Sequence, residues 1–497
     1  MSGPALDPRT APPFPKAAHN LLKDMQLRKN LHHATAVIQA KRANVVGELP
    51  DWEALRVAGQ QIREHTMANL DAYLEQFEEN CRRAGGIVHW ARDAEEARRI
   101  VVGLAKEAIA ANEPALPDKK ASGEVIKIKS MTTEEIGLNS ALEAAGIRPY
   151  ETDLAELIIQ LGHDKPSHIV VPALHKNRHQ IREIFMREMN LPNLGDTPQD
   201  LADAARLFLR EKFLRVPTAI SGANFLIAET GGVCVVESEG NGRMCLTLPK
   251  TLITVAGIDK VIPRFRDLEV FLQLLPRSAT GERMNPYNSV WTGVHDGDGP
   301  RTFHVVLMDN ARTEVLADPE GRQTLNCIRC GACQNICPVY RETGGHAYGS
   351  VYAGPIGAIL TPQLQGMKHA QSLPFASSLC GACYEVCPVR INIPEILVHL
   401  RHRVTKQKSA LNPEALAMKA MGHVFQSERR FRAAQRLGRV AERPLERKDA
   451  AGRRWVKSLP GMLGGWTQSR DLPAMPNETF REWWERRERQ KGAHNGR

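Results

Sequence analysis

An α/β domain with a mostly parallel sheet, then a cysteine-rich segment, then a basic helical tail is the fold class that this 497-residue sequence predicts. Three observations predict it. Short apolar runs alternate with helix-period stretches up to about residue 310, the pattern of βαβ units. Seven of the ten cysteines fall between positions 327 and 387. The net charge of +10 belongs to the end of the chain, where residues 401–497 carry 23 Lys/Arg against 10 Asp/Glu. A hydrophobic content of 42% and a charged content of 25% suit a globular protein, and the length calls for more than one core.

Residues 1–50 read as an N-terminal extension, Pro-rich at first, then basic and weakly helical. The start MSGPALDPRTAPPFPK has no apolar h-region, and no apolar run approaches about 18 residues. The expectation is a cytoplasmic protein without a transmembrane segment. Residues 51–310 make the α/β domain. Leu55, Val57, Ile62, Met67, Leu70, Tyr73, Leu74 and Phe77 predict a helix from Asp51 to about Arg83, ended by Gly85-Gly86. Ile87–Trp90 reads as a strand, and Asp93 caps a helix to about Ala111. A strand at Val125–Lys129, helices at Thr132–Ala145 and Asp153–Leu161, a strand at His168–Val171 and a helix at Lys176–Met189 continue the alternation. Phe225–Ala228, Val233–Glu237, Met244–Leu248 and Leu252–Ala256 read as strands around Gly-rich turns, before a helix at Phe265–Leu275. A polar linker at Asp318–Thr324 opens the cysteine segment, residues 318–400. Residues 401–497 form the basic helical region, with Trp455, Trp466, Trp483 and Trp484. Such a tail is either a solvated face or a surface for nucleic acid, anionic lipid or an acidic partner. It carries no helix-turn-helix or zinc-finger signature, which weighs against nucleic acid.

The cysteines come in two runs. Cys327, Cys330, Cys333 and Cys337-Pro338 follow C-x2-C-x2-C-x3-C-P, the ligand spacing of bacterial ferredoxins. Cys380, Cys383 and Cys387-Pro388 repeat that frame, with Ser377 where the first cysteine would stand. In this spacing three cysteines wrap one cluster and the fourth ligates the other. The first cluster is therefore expected on Cys327, Cys330, Cys333 and the distant Cys387, the second on Cys337, Cys380 and Cys383. Two 4Fe-4S clusters are the cofactors expected, the second also readable as 3Fe-4S. Its fourth corner is open, or held by Ser377, with Ser378 an equal candidate by position. A tetrahedral zinc site wants two separated pairs, which this run is not. Cys81, Cys234 and Cys245 lie in the first domain and read as small core hydrophobes.

CIRCGACQNICPVYRETGGHAYGSVYAGPIGAILTP and LPFASSLCGACYEVCPV resemble the lactate utilization protein B family. The likeness extends to Lys129–Gly137, Pro166–His175, Ser221–Gly231 and Glu239–Arg243. It implies a LUD-type first domain similar to the sugar-isomerase and CoA-transferase-like fold. It also implies an all-α two-cluster ferredoxin domain, as in the iron–sulfur subunits of anaerobic glycerol-3-phosphate dehydrogenase and succinate dehydrogenase. The function implied is an electron-transfer subunit of a multi-protein system oxidising L-lactate to pyruvate. The partners implied are a cysteine-rich A-type and a LUD-type C-type subunit. The missing first cysteine belongs to the same family pattern.

The first domain offers candidates of its own. Glu229, Glu239, Asn241 and Arg243, among glycines, form either an organic-acid site or two hairpin turns at Gly231-Gly232 and Asn241-Gly242. Lys129-Ser130 is either an anion-binding turn or an ordinary N-cap. His168 and His175 flank an expected strand, where a lone histidine is more often structural than a ligand. No nucleotide-binding glycine motif occurs in a credible context. Two other functions stay open on the sequence: a stand-alone oxidoreductase using the open cluster corner on a hydroxy acid, and a redox-sensing regulator.

Overall fold

A computed structural model describes residues 6–112, 123–409, 412–467 and 470–494. Among the described residues, ten strands belong to the first domain: β1 (Ile87–Ala91), β2 (Glu124–Lys127), β3 (Arg148–Glu151), β4 (Thr218–Ser221), β5 (Phe225–Ile227), β6 (Gly232–Glu237), β7 (Thr251–Gly257), β8 (Val261–Ile262), β9 (Tyr287–Trp291) and β10 (Thr302–Met308). Six form one sheet in the order β1-β10-β7-β4-β2-β3, every pair parallel. The other four form a mixed sheet in the order β8-β5-β6-β9.

The period of two explains the layering. Phe303, Val305 and Leu307 of β10 pack with Phe77, Leu226 and Val233, toward the helix Leu70–Arg83 and the mixed sheet. Val306 and Met308 point the other way, onto Val101 and Ala105 of the helix Ala94–Asn112 and Leu142 of the helix Leu138–Ala144. A parallel sheet covered on both faces needs apolar strands throughout, and all of β7 is buried.

Several expected elements differ in the structure. The helix expected over 51–83 is two, Trp52–Ala68 and Leu70–Arg83, broken at Asn69. Gly137, at φ +61°, divides the helix expected over 132–145. The strand expected at His168–Val171 is a loop, because its amides serve local acceptors: Val170 and Val171 N–H donate to His168 Nδ1. Met244–Leu248, expected as a strand, lies largely in the helix Asn241–Thr247. A short apolar run has no readable period, and a left-handed Gly240 starts the helix. Asn241-Gly242 is accordingly not a hairpin turn, whereas Gly231-Gly232 does join β5 to β6.

Between Met308 and Thr405 the chain holds only helices and turns, so the cysteine segment is all-α. It docks against the C-terminal edge of the parallel sheet, the edge at which α/β folds place ligands. Arg312, just beyond β10, pairs with Glu135 at 2.9 Å and with Asp259, and all three side chains are at most 1% exposed. The Tyr352 hydroxyl, from the cysteine segment, donates to Glu135 at 2.6 Å. Arg329 reaches Asp259 at 3.3 Å.

The described part of residues 1–50 covers the cysteine segment. The helix Met25–Gly47 packs on Ala332–Ile336 and Pro338–Thr343, burying Leu27 and Leu31. Asp24 caps its start, and Gln39 and Arg42 donate to the Asn335 and Val386 carbonyls. Residues up to Thr405 make one compact unit and Lys406–Arg497 a second. The second unit holds the helices Pro413–Phe425, Glu428–Glu442 and Phe480–His494 and a small three-stranded sheet. Its helices are tied by Arg432–Glu485 and Arg439–Glu482, and Val456 is the buried hydrophobic among its described residues. No helix among the described residues is long and apolar enough to cross a membrane.

Candidate metal centre

The two cysteine runs fold alike. Each has a left-handed residue, a cysteine, a left-handed glycine and a short helix: Arg329, Cys330, Gly331 and Ala332–Ile336 in the first, Leu379, Cys380, Gly381 and Ala382–Glu385 in the second. In the first run Arg329 N–H donates to Cys327 Sγ at 3.4 Å. In the second, Leu379 N–H donates to Ser377 Oγ at 3.1 Å. Ser377 thus occupies the place of Cys327, half-buried, while Ser378 is exposed.

Cys327, Cys330, Cys333 and Cys387 line one small cavity, walled by Ile356, Val389, Ile391 and Ile393. Three come from the first run and Cys387 from the second. Burial, and then repulsion from Cys327, pushes the Cys387 thiol up to about 11; Cys330 and Cys333 are raised for the same reasons. Cys337, Cys380 and Cys383 lie within electrostatic reach of one another; burial and those two neighbours push Cys383 up to about 12. Thiols crowded so closely gain from a soft cation that accepts them as thiolates. Backbone N–H groups already point at the sulfurs, from Tyr340 to Cys337 at 3.5 Å and from Ile391 to Cys387 at 3.4 Å.

A buried anionic centre needs cations. Arg56 donates to the Cys387 and Tyr384 carbonyls at 3.0 and 3.1 Å. The Arg329 guanidinium lies 5.0 Å from the Tyr352 ring centre and bonds the Cys327 carbonyl. Arg42 lies within electrostatic reach of Cys330 and Cys387, and fully buried Arg63, which donates to the Val261 and Leu325 carbonyls, within reach of Cys327. The second group lies nearer the surface: Cys380 is exposed and Cys383 buried.

Cys81, Cys234 and Cys245 are buried in the cores of the first domain, and burial raises all three. The other candidates are scattered. Glu229, at the β5–β6 turn, accepts from Phe265 N–H at 2.8 Å. Glu239 and Asn241 lie past the opposite end of β6, where Glu239 accepts from Leu154 N–H and Asn241 donates to Thr152 Oγ1. Arg243 is exposed on its helix. The four are not brought together. Ser130 caps the helix Met131–Glu135, and the Lys129 ammonium lies 3.7 Å from Glu156. His168 is buried with Nε2 3.0 Å from Asn335 Oδ1; burial pushes it down to about 4, so it stays neutral. A cavity that the sequence did not reveal lies at the sheet's C-terminal edge, lined by Glu134, Glu151, Glu156, Asp164 and Lys165. Lys127, fully buried, pairs with Glu151 at 2.8 Å beside it. They come from strand ends (Lys127, Glu151), short helices (Glu134, Glu156) and a loop (Asp164, Lys165), with no spacing to mark them.

Three family models match in chain order: the LUD domain over residues 74–308, the 4Fe-4S dicluster domain over 323–391, and the C-terminal region of lactate utilisation protein B over 399–489. Lactate utilization protein B of Geobacillus thermodenitrificans is 45% identical over 459 residues, covering 91% of this chain and 92% of its own. The chain belongs to the lactate utilization protein B family. Its relative of that name in Bacillus subtilis is 43% identical over 456 residues, covering 91% of each chain. Lactate utilization protein B 1 of Bacillus mycoides is 41% identical, over 95% of this chain and 96% of its own. A crystal structure of a DUF162 family protein from Deinococcus radiodurans aligns to 48% of this chain and 98% of its own, at 15% identity and a TM-score of 0.22. The dicluster match and the grouping of the thiols support iron–sulfur clusters in this family member.

Proposed function

We propose that this chain is the iron–sulfur electron-transfer subunit of a multi-protein system that oxidises L-lactate to pyruvate. The observation that carries the reading is the interlock of the two cysteine runs, with one thiol group walled in and the other near the surface. Cys327, Cys330, Cys333 and Cys387 hold a first 4Fe-4S cluster. Cys337, Cys380 and Cys383 hold a second, with Ser377 at its fourth corner. Bound there, such clusters supply one-electron carriage. The chain's own residues do the rest: Arg42, Arg56, Arg63 and Arg329 offset negative charge around the inner group, and the apolar wall excludes water from it. Exposed Cys380 marks the side on which electrons enter or leave. The relatives' name supplies lactate, and the A-type and C-type partners follow from the family resemblance.

The parallel sheet with a polar C-terminal edge supports the sugar-isomerase and CoA-transferase-like reading of the first domain. The basic second unit, with exposed Phe480, Trp483 and Trp484, is assigned to partner docking. The test is reconstitution of the anaerobically loaded chain with its two partners. Lactate is expected to reduce the clusters, seen by low-temperature EPR, only when the partners are present. Lactate oxidation by the isolated chain with an artificial acceptor would instead make it an enzyme in its own right.

A further inference from the structure

Two segments that the cysteine centre leaves unused meet where the first domain joins the cysteine segment. One runs from Asp164 to Lys176; the other is the turn Gly344-Gly345-His346. Asp164, His175 and His346 each offer a ligand atom, and these atoms all lie within 4.8 Å of one another. His175 Nε2 is 3.1 Å from Asp164 Oδ2, and the two imidazoles meet edge to face with centres 4.8 Å apart.

The remaining nitrogen of each ring has a partner. His175 Nδ1 lies 2.8 Å from Ser167 Oγ, and His346 Nε2 lies 2.9 Å from the Lys165 carbonyl. A carbonyl only accepts, so His346 carries its hydrogen on Nε2 and keeps the Nδ1 lone pair. Proteins fix the tautomer of a metal-bound histidine by this outer hydrogen bond. Burial, then the neighbouring His175, lowers the His346 pKa. Burial raises the Asp164 pKa, but hydrogen bonds from His175, Lys176 and the Lys165 amide outweigh it and keep the carboxylate ionised. Lys176 already brings a cationic group to the place, bonding Asp164 through a partly exposed side chain. A cavity of about 350 Å³, lined by Asp7, Asp164, Lys165 and His346, opens alongside.

We propose that Asp164, His175 and His346 bind one divalent transition-metal ion of the nitrogen- and oxygen-preferring kind, such as Zn²⁺ or Fe²⁺, which displaces Lys176. Two imidazoles and one carboxylate leave coordination positions open, toward the cavity. The ion would also clip the two parts of the molecule together, since His346 belongs to the cysteine segment. The Tyr340 hydroxyl donates to the Ser167 carbonyl at 2.7 Å and its amide to Cys337 Sγ, so one residue joins this loop to a thiol of the second group.

Manganese(II) is the probe, because a hard ion avoids thiolates and its room-temperature EPR signal disappears on binding. The full-length, cluster-loaded chain is titrated with it anaerobically. A single bound ion per chain is expected. His175→Ala and His346→Ala should each weaken binding at least about tenfold, a loss that even outer-shell changes cause. His179→Ala, on an exposed residue paired with Asp196, should leave it unchanged. Lys176→Met should tighten it; weaker binding there overturns the displacement of Lys176. Iron content and circular dichroism identify any variant that fails to fold, and Asp164→Asn then takes its place. Equal binding in parent and histidine variants, or no bound ion at millimolar Mn²⁺, overturns the site.

Discussion

Ser377 and Cys327 stand at the same point of two similar turns, and both accept the amide two residues on. They differ in one atom, and a hydroxyl yields its proton to a metal far less readily than a thiol does. Ser377→Cys is therefore expected to alter the EPR signal of one cluster while the other keeps its own. Ser378→Cys, on an exposed neighbour, should change neither. Glu156 makes a prediction of a different kind. Burial, only partly offset by Lys129, pushes its carboxyl up to about 8, from 4.5 for an ordinary glutamate. Between those values the fold keeps a proton that the unfolded chain has lost, so stability falls as pH rises. Thermal unfolding should show Glu156→Gln gaining on the parent between about pH 6 and about pH 8. Arg312 sits between two carboxylates that are fully buried. Arg312→Met leaves buried Glu135 without its ion-pair partner and Asp259 with Arg329 alone, and should cost about 3–5 kcal/mol in denaturant unfolding.

At the scale of elements, the cysteine runs are two copies of one turn and helix, each lending a cysteine to the other's group. Cys387→Ser tests that exchange. It should remove the first cluster's signal and about four irons per chain, although Cys387 belongs to the second run. Loss of the second cluster alone would mean that each run serves itself. Much at this scale was legible in the sequence. Ile87–Trp90, Val233–Glu237 and Leu252–Ala256 alternate or run apolar between turn signals, and all lie in strands. Elsewhere the local signal misled. The amides of Val170 and Val171 turn to His168, and Cys245 and Leu246 meet the core from a helix. The helix Pro198–Arg215 and the strands β3, β4, β9 and β10 had no clear expectation, since their burial comes from neighbours distant in the chain.

Across the molecule, the sheet's C-terminal edge faces the cysteine segment, and the helix Met25–Gly47 covers that segment from another side. Removing residues 1–47 should expose Asn335 and Tyr340 and their surroundings. The clusters should then bleach faster in air, followed by visible absorbance, while circular dichroism keeps the sheet signal. By itself the sequence determined the parallel α/β class, the iron–sulfur character of the cofactor and the two cysteine runs of like spacing. Those follow from periodicity and ligand spacing, which act within a few residues. Only the tertiary structure decided that Ser377 rather than Ser378 shares the turn of Cys327, and that Glu229 lies apart from Glu239. It alone brought Asp164 and His175 to His346, because folding joins positions by shape and burial and single residues far apart in the chain leave no pattern to read.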